Sequence, residues 1–149
     1  MRFSIRRATP EDKQAWLHMR QGLWPEAPLD YLSLDLDRML EDERKAVFVA
    51  ANADGHLAAF IEVGLRDVAE GCESSPVGYI EAWYVDPQAR GQKLGRDLAH
   101  AAEQWAREKG CTEMASDTWI DNESGIQIHQ RLGYYEVDRL VHFVKRLNV

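Results

Sequence analysis

Phe3 to Arg7 alternates apolar and polar residues with the period of a half-buried strand. Thr9-Pro10-Glu11-Asp12 then supplies a helix N-cap, a proline at the first helical position and acids in the first turn. Trp16, Met19 and Leu23 fall on one face of the helix that follows, and Pro25 ends it. Leu32, Leu36, Met39 and Leu40 recur at i, i+4, i+7 and i+8, which predicts a second amphipathic helix. From Lys45 the period changes. Val47-Phe48-Val49-Ala50 and the run from Ala58 to Leu65 flank Asn52-Ala53-Asp54-Gly55, the pattern of a hairpin. Arg66 to Pro76 reads as a polar loop, and Gly78 to Val85 as a third strand. A helix from about Leu94 to Lys109 turns Leu94, Leu98, Ala102 and Trp105 inward and stops at Gly110. Met114 to Thr118 is short and strand-like, Asp121 or Asn122 caps a helix through Leu132, and Gly133 ends it. Tyr134–Val137 and Leu140–Arg146 are expected to be two closing strands. Helix–strand alternation in the middle with hairpins at both ends implies an α/β chain whose mixed sheet is covered by helices.

Composition narrows the class. A chain of 149 residues, 45% of them apolar, buries roughly 70% of its unfolded surface, enough for one domain spanning 1–149. Its longest apolar stretches are strand-sized, and the charged amino terminus has no apolar core of a signal peptide, so a cytoplasmic protein without a membrane span is expected. Cys72 and Cys111 are expected to be reduced thiols. Eighteen Lys and Arg stand against 25 Asp and Glu, a net charge of −7 with no basic run. Nucleic acids and anionic membranes are therefore poor partners, and a cationic one fits. The histidines have no ligand spacing with one another or with the cysteines, so no metal is expected.

Chemistry concentrates in Tyr79-Ile80-Glu81-Ala82-Trp83-Tyr84-Val85-Asp86-Pro87-Gln88-Ala89-Arg90-Gly91-Gln92-Lys93-Leu94-Gly95-Arg96. This is an apolar strand, a Gly-containing turn with cations, and a helix start, whose N–H groups and dipole suit an anion such as a pyrophosphate. A plain strand-to-helix turn would carry the same glycines. Val85, Pro87, Arg90 and Gly95 resemble the acetyl-CoA signature V-x-P-x-x-R-x-x-G-x-G/A of the GNAT superfamily of N-acetyltransferases, with Lys93 where that family usually has its first glycine. Leu23-Trp24-Pro25, Gly71 to Pro76, Gly110 to Thr118 and His129 to Tyr134 together resemble the aminoglycoside 6'-N-acetyltransferases of that superfamily. The resemblance implies a GNAT fold, with about six to seven mostly antiparallel strands flanked by about four helices. It also implies acetyl-CoA as co-substrate, held by Trp83, Tyr84, Val85, Arg90, Gly91, Gln92, Lys93, Leu94, Gly95 and Arg96, with Asn122 and His129 beside it.

Several acids are candidates for the acceptor. Glu81 is the only charge in the run from Tyr79 to Val85, so a buried carboxylate there is either paired with an arginine or lines a cleft for an ammonium. Asp117 ends a short strand and precedes a polar loop, where sites collect in α/β sheets, although capping that loop would also use an Asp. By resemblance, Asp117 lies beside the amine that is acetylated and is the first candidate for accepting its proton, with Glu81 second. Asn122 either caps the helix it precedes or touches cofactor and sugar, and Asp138 matches a further acidic contact. Trp24 is either a core anchor or an aromatic wall for a sugar ring. His129 stands where many members of the family carry a tyrosine that protonates the departing thiolate; it is equally read as a packing residue or a hydrogen bond to CoA. The expected function is acetyl transfer from acetyl-CoA to the 6'-amine of a cationic aminoglycoside by a homodimer. The rivals are a GNAT enzyme for another polyamine or a peptide amine, and a non-catalytic acyl-CoA-binding module. Glu26, Glu70 and Glu73, in loops, are expected to rim the acidic cleft.

Overall fold

Strand β1 (Phe3–Arg7) pairs antiparallel with β2 (Lys45–Asn52), and β2 turns back into β3 (Leu57–Arg66). In that turn the Asn52 side-chain oxygen accepts from the N–H groups of Asp54 and His56, each at 3.0 Å, and Gly55 takes the positive φ the turn needs. The computed structural model, which describes residues 2–148, continues with β4 (Val77–Val85), antiparallel to β3. Strand β5 (Met114–Ser116) lies parallel to β4, giving a mixed five-stranded sheet in the order β1-β2-β3-β4-β5.

Five strands are fewer than the six to seven expected, and the difference lies at the carboxyl end. Residues 134–148 form neither helix nor strand, so the two closing strands expected there are absent. Their alternation is real, but a strand exists only where a ladder partner exists, and no pairing of the sheet reaches them. Two compact units divide the chain, one ending at Asp117 and the other starting at Thr118.

Within the first unit, a short 3-10 turn (Pro10–Asp12) opens helix α1 (Lys13–Leu23). Asp12 fixes this start: its carboxylate accepts from the Thr9 N–H at 2.8 Å and from both terminal nitrogens of Arg6 at 2.7 and 3.0 Å. The Arg6 guanidinium holds the Asp12 carboxyl below the usual carboxylate range. The single helix expected over Leu32–Leu40 is two, α2 (Leu29–Ser33) and α3 (Leu36–Glu41). Leu34 is extended and Asp35 has φ 71°, a left-handed residue that breaks the helical ladder. The apolar stripe survives the break, with Leu32, Leu36 and Met39 all buried.

The two faces of the sheet carry different helices. Trp16 and Met19 of α1 with Leu36 and Met39 of α3 pack on Val47, Val49, Phe60 and Ala82 on one face. Helix α4 (Leu94–Glu108) covers the other, where a side chain on Gly78 would collide with Ala106 and Met114. Fully burying each large side chain contributes about 1.5–3 kcal/mol, so these layers supply most of the stability of the unit. At its centre lies an ion pair. Glu62, 3% exposed, accepts from the Trp16 indole at 2.8 Å and from Arg20 Nε and Nη2, each at 2.7 Å, while Arg20 Nη1 donates to the Leu32 carbonyl at 2.8 Å. One buried carboxylate and its arginine thus tie α1, α2 and β3 together.

Helix α5 (Glu123–Arg131) belongs to the second unit. Among the described residues, no helix is long and apolar enough to cross a membrane.

Candidate active site at the end of the parallel ladder

The β4–β5 ladder is short, and where it stops determines what is exposed. Its three pairs end at Ile80 opposite Ser116, so the next residues along the two strands are Glu81 and Asp117. On its other edge β4 carries a bulge: Ala82 pairs with Glu62 and Ile80 with Val63, leaving Glu81 as the extra residue. A bulge redirects a side chain and sharpens the local twist. Beyond Ile80 the ladder with β5 ends, while the pairing with β3 resumes at Ala82 and runs to Val85.

Glu81 is not buried, contrary to the expectation; its side chain keeps 36% of its exposure and forms a two-pronged pair with Arg66, at 3.0 and 2.7 Å. That hydrogen bonding raises the Arg66 pKa above its ordinary value. The same guanidinium lies over the Tyr79 ring, its carbon 3.4 Å from the centroid. Tyr79, 8% exposed, donates its hydroxyl to Asp117 Oδ2 at 2.5 Å. Burial, then the bond to Asp117, pushes the phenol pKa well up, so Tyr79 is a neutral donor across the working pH range. Glu81, Arg66, Tyr79 and Asp117 therefore form one continuous chain of contacts. By pattern alone Arg66 is a loop residue and Tyr79 a strand residue. A cation at the last position of one strand and a tyrosine two residues before the bulge of the next were the signals available.

The loop before this cluster is also anchored. Glu113 accepts from the N–H groups of Glu73 and Ser74, at 2.9 and 2.8 Å, and from the Ser74 hydroxyl. These bonds lower its pKa and fasten the Gly71–Pro76 loop to the start of β5. Glu73 remains exposed on that loop and Glu70 just before it, and Glu26 is exposed after α1. Trp24 closes α1 half-buried against the core, with the Arg20 guanidinium 5.8 Å from its ring centroid. It is thus partly the core anchor and partly an available surface.

The turn after β4 is held from both sides. Asp86 accepts from the Gln88 N–H at 2.9 Å, and Trp83 donates its indole N–H to the Gly95 carbonyl at 3.1 Å. Tyr84 points to the opposite face, where a side chain on Gly22 would strike its hydroxyl. Gly91 has φ 87°, and Lys93, at the position of the missing glycine, has φ 63° and ψ 23°. Lys93 thus takes a left-handed conformation that glycine takes more easily, at a cost of about 1 kcal/mol. The first-turn N–H groups of Leu94, Gly95 and Arg96 are free of helical partners by helix geometry, with Arg90, Gln92 and Lys93 exposed beside them. Arg96 also pairs with Asp97 at 3.0 Å.

Residues 13–134 match the model of the acetyltransferase (GNAT) family. The chain belongs to that family. It is 45% identical over 143 residues to the aminoglycoside N(6')-acetyltransferase type 1 of Stenotrophomonas maltophilia, covering 94% of this chain and 91% of that protein. The enzyme of the same description from Klebsiella aerogenes is 38% identical over 146 residues, 96% of either chain. Among solved structures, AAC(6')-Iy in complex with a bisubstrate analog, CoA-S-monomethyl-acetylneamine, superposes with a TM-score of 0.90 at 34% identity, covering 99% of this chain and 100% of that one.

GNAT enzymes use acetyl-CoA, and the residues present fit it: a strand, β4, that outruns its parallel ladder with β5, and a left-handed loop leading into a helix N-terminus. The remaining GNAT candidates lie in the second unit. Asn122 caps α5, its oxygen accepting from the Gly125 N–H at 3.1 Å and its amide donating to Thr118 Oγ1 at 2.9 Å. His129 Nδ1 sits 2.6 Å from the Gly125 carbonyl. A carbonyl only accepts, so Nδ1 is the donor in this contact. Its ring meets Tyr134 edge-on at 5.8 Å. Asp138 is exposed and accepts from the Arg139 N–H at 2.8 Å.

Proposed function

We propose that this GNAT protein acetylates the 6'-amine of a cationic aminoglycoside antibiotic, with Asp117 as the proton acceptor. The observation carrying the reading is the Asp117 carboxylate at the point where β5 leaves β4, one oxygen held by Tyr79 and the other facing no partner among the described residues. The names of the relatives supply the substrate class.

Acetyl-CoA brings an acyl group activated as a thioester with a good leaving thiol. The chain's own residues do the rest. N–H groups of β4 near Trp83 orient and polarise the acyl carbonyl, and the α4 N-terminus with Arg90 and Lys93 offers a basic grip for phosphates. The acceptor arrives as an ammonium, which cannot attack. Asp117 takes a proton from it, directly or through water, so that the free amine forms the new C–N bond as the C–S bond breaks; the bond pair leaves with the CoA thiolate, which takes up the second proton shed by the amide nitrogen. Glu81, already paired with Arg66, orients a second amine or hydroxyl instead of competing for the proton. Trp24 offers a sugar ring its half-buried face. The whole chain acts as one GNAT domain, since the family match crosses the boundary at Asp117.

The deciding experiment measures CoA thiol release by the purified protein with acetyl-CoA and tobramycin, kanamycin, spermidine or a lysine peptide. Turnover with the two antibiotics is expected. Turnover with spermidine or peptide alone would overturn the substrate, and acetyl-CoA binding without turnover would overturn the enzyme.

A homodimer is part of the same reading. Tyr135, Val137, Leu140, Val141, Phe143, Val144 and Leu147 are each more than half exposed in a segment with strand-like alternation and no ladder. A second copy that pairs with this segment would cover them. Sedimentation velocity is expected to give a dimer mass at micromolar concentration, and a monomer there removes the claim.

A further inference from the structure

Tyr79 has a hydroxyl that neither packing nor ladder geometry requires. Its backbone pairs with Gly64 and Ala115, and its ring is sandwiched into the sheet face beneath Arg66. A phenylalanine would satisfy all of this. The hydroxyl adds a single contact, the donation to Asp117 Oδ2. Asp117 itself is exposed and sits one residue beyond its strand, where an aspartate rotates freely about its side-chain bonds unless something holds it. The donor comes from a rigid place: Tyr79 is buried, and Arg66 above its ring is clamped in turn by the two-pronged bond to Glu81.

We propose that Tyr79 is a positioning residue: its hydroxyl fixes the Asp117 carboxylate with Oδ2 engaged and Oδ1 turned to the incoming amine, and Arg66 holds the Tyr79 ring for that purpose. The proposal rests on Asp117 as proton acceptor and adds what makes it effective. A carboxylate held in one orientation avoids the loss that misplaced catalytic groups incur. The arrangement also divides labour between the two acids. Arg66 engages both oxygens of Glu81, and Tyr79 engages only one of Asp117.

The test is a double-mutant cycle of Tyr79→Phe and Asp117→Asn. Tyr79→Phe keeps the ring under Arg66 and is expected to leave the urea midpoint and the acetyl-CoA KM unchanged within about twofold, while kcat falls about 10- to 100-fold, the scale of a lost hydrogen bond to a charged group. In the Asp117→Asn background the same change is expected to cost nothing further. Full kcat in Tyr79→Phe, or losses that multiply in the double variant, would overturn the positioning role and leave Asp117 untouched. Full activity of Asp117→Asn would instead remove Asp117 itself. Asp117→Glu provides a check that does not depend on how Tyr79→Phe folds: it keeps a carboxylate but carries it past the hydroxyl, and a loss of similar size is expected. An undiminished kcat there also overturns the proposal.

Discussion

Turnover of an aminoglycoside by Asp117→Asn is expected to fall about 10²- to 10⁴-fold, the usual contribution of a positioned general base. Asparagine keeps the shape of the side chain and can still accept the Tyr79 hydroxyl, so the end of β5 keeps its geometry. What it loses is the ability to take a proton from the acceptor. The β4 edge and the loop at Lys93 lie outside the change, so calorimetry is expected to give an unaltered acetyl-CoA Kd. Steady-state thiol release measures the first quantity. A kcat within about threefold of the parent would mean that the amine loses its proton to water or to another group, and the role assigned to Asp117 would lapse.

The second large effect concerns stability. Glu62→Gln leaves the Arg20 guanidinium, 9% exposed, without its counter-charge in the middle of the sheet–helix layer. Removing one partner of a buried ion pair costs about 3–5 kcal/mol, against a total of about 5–15 kcal/mol for a typical domain. The loss is expected to appear in the urea midpoint. It should be felt first in the Trp24–Leu32 region, because Arg20 also donates to the Leu32 carbonyl and lies against Trp24. Replacing both partners with apolar residues of matching volume, Arg20→Met with Glu62→Leu, is expected to recover much of the loss. A midpoint that hardly moves in Glu62→Gln would show that water reaches the pair.

Periodicity and turn chemistry carried most of the fold in the sequence. Strands β1 to β5 and helices α1, α4 and α5 fall where their periods put them, because each buries a stripe that only one period can produce. The α2–α3 break leaves no mark on the periodicity, because Leu32, Leu36 and Met39 face the core whether or not Asp35 turns left-handed. The closing strands failed for the opposite reason: residues 134–148 have the local pattern, but pairing is a property of the partner. In the candidate site, Glu81 and Asp117 stood out as acids at strand positions, and they share one cluster. Arg66 and Tyr79, which join them, did not, since that contact spans two strands and a loop and no local spacing encodes it. Glu62 was within reach of the same reasoning applied to Glu81, being a lone charge in the apolar run of β3. Its partner on α1 could not be named without the packing.

The extra residue at Glu81 also sets the parity of β4. Before it, Tyr79 faces the side of the sheet that carries α1, and Gly78 faces α4. After it the alternation is offset by one, so that Trp83 reaches Gly95 of α4 while Tyr84 meets Gly22 of α1. Strict alternation from Tyr79 would turn Trp83 towards the helix pair and Tyr84 towards α4, exchanging the two aromatic residues between layers of different shape. One inserted residue therefore lets the same strand turn Glu81 to Arg66 and still seat its aromatic end on both layers. Any length change in β4 must keep that count odd or rebuild both faces.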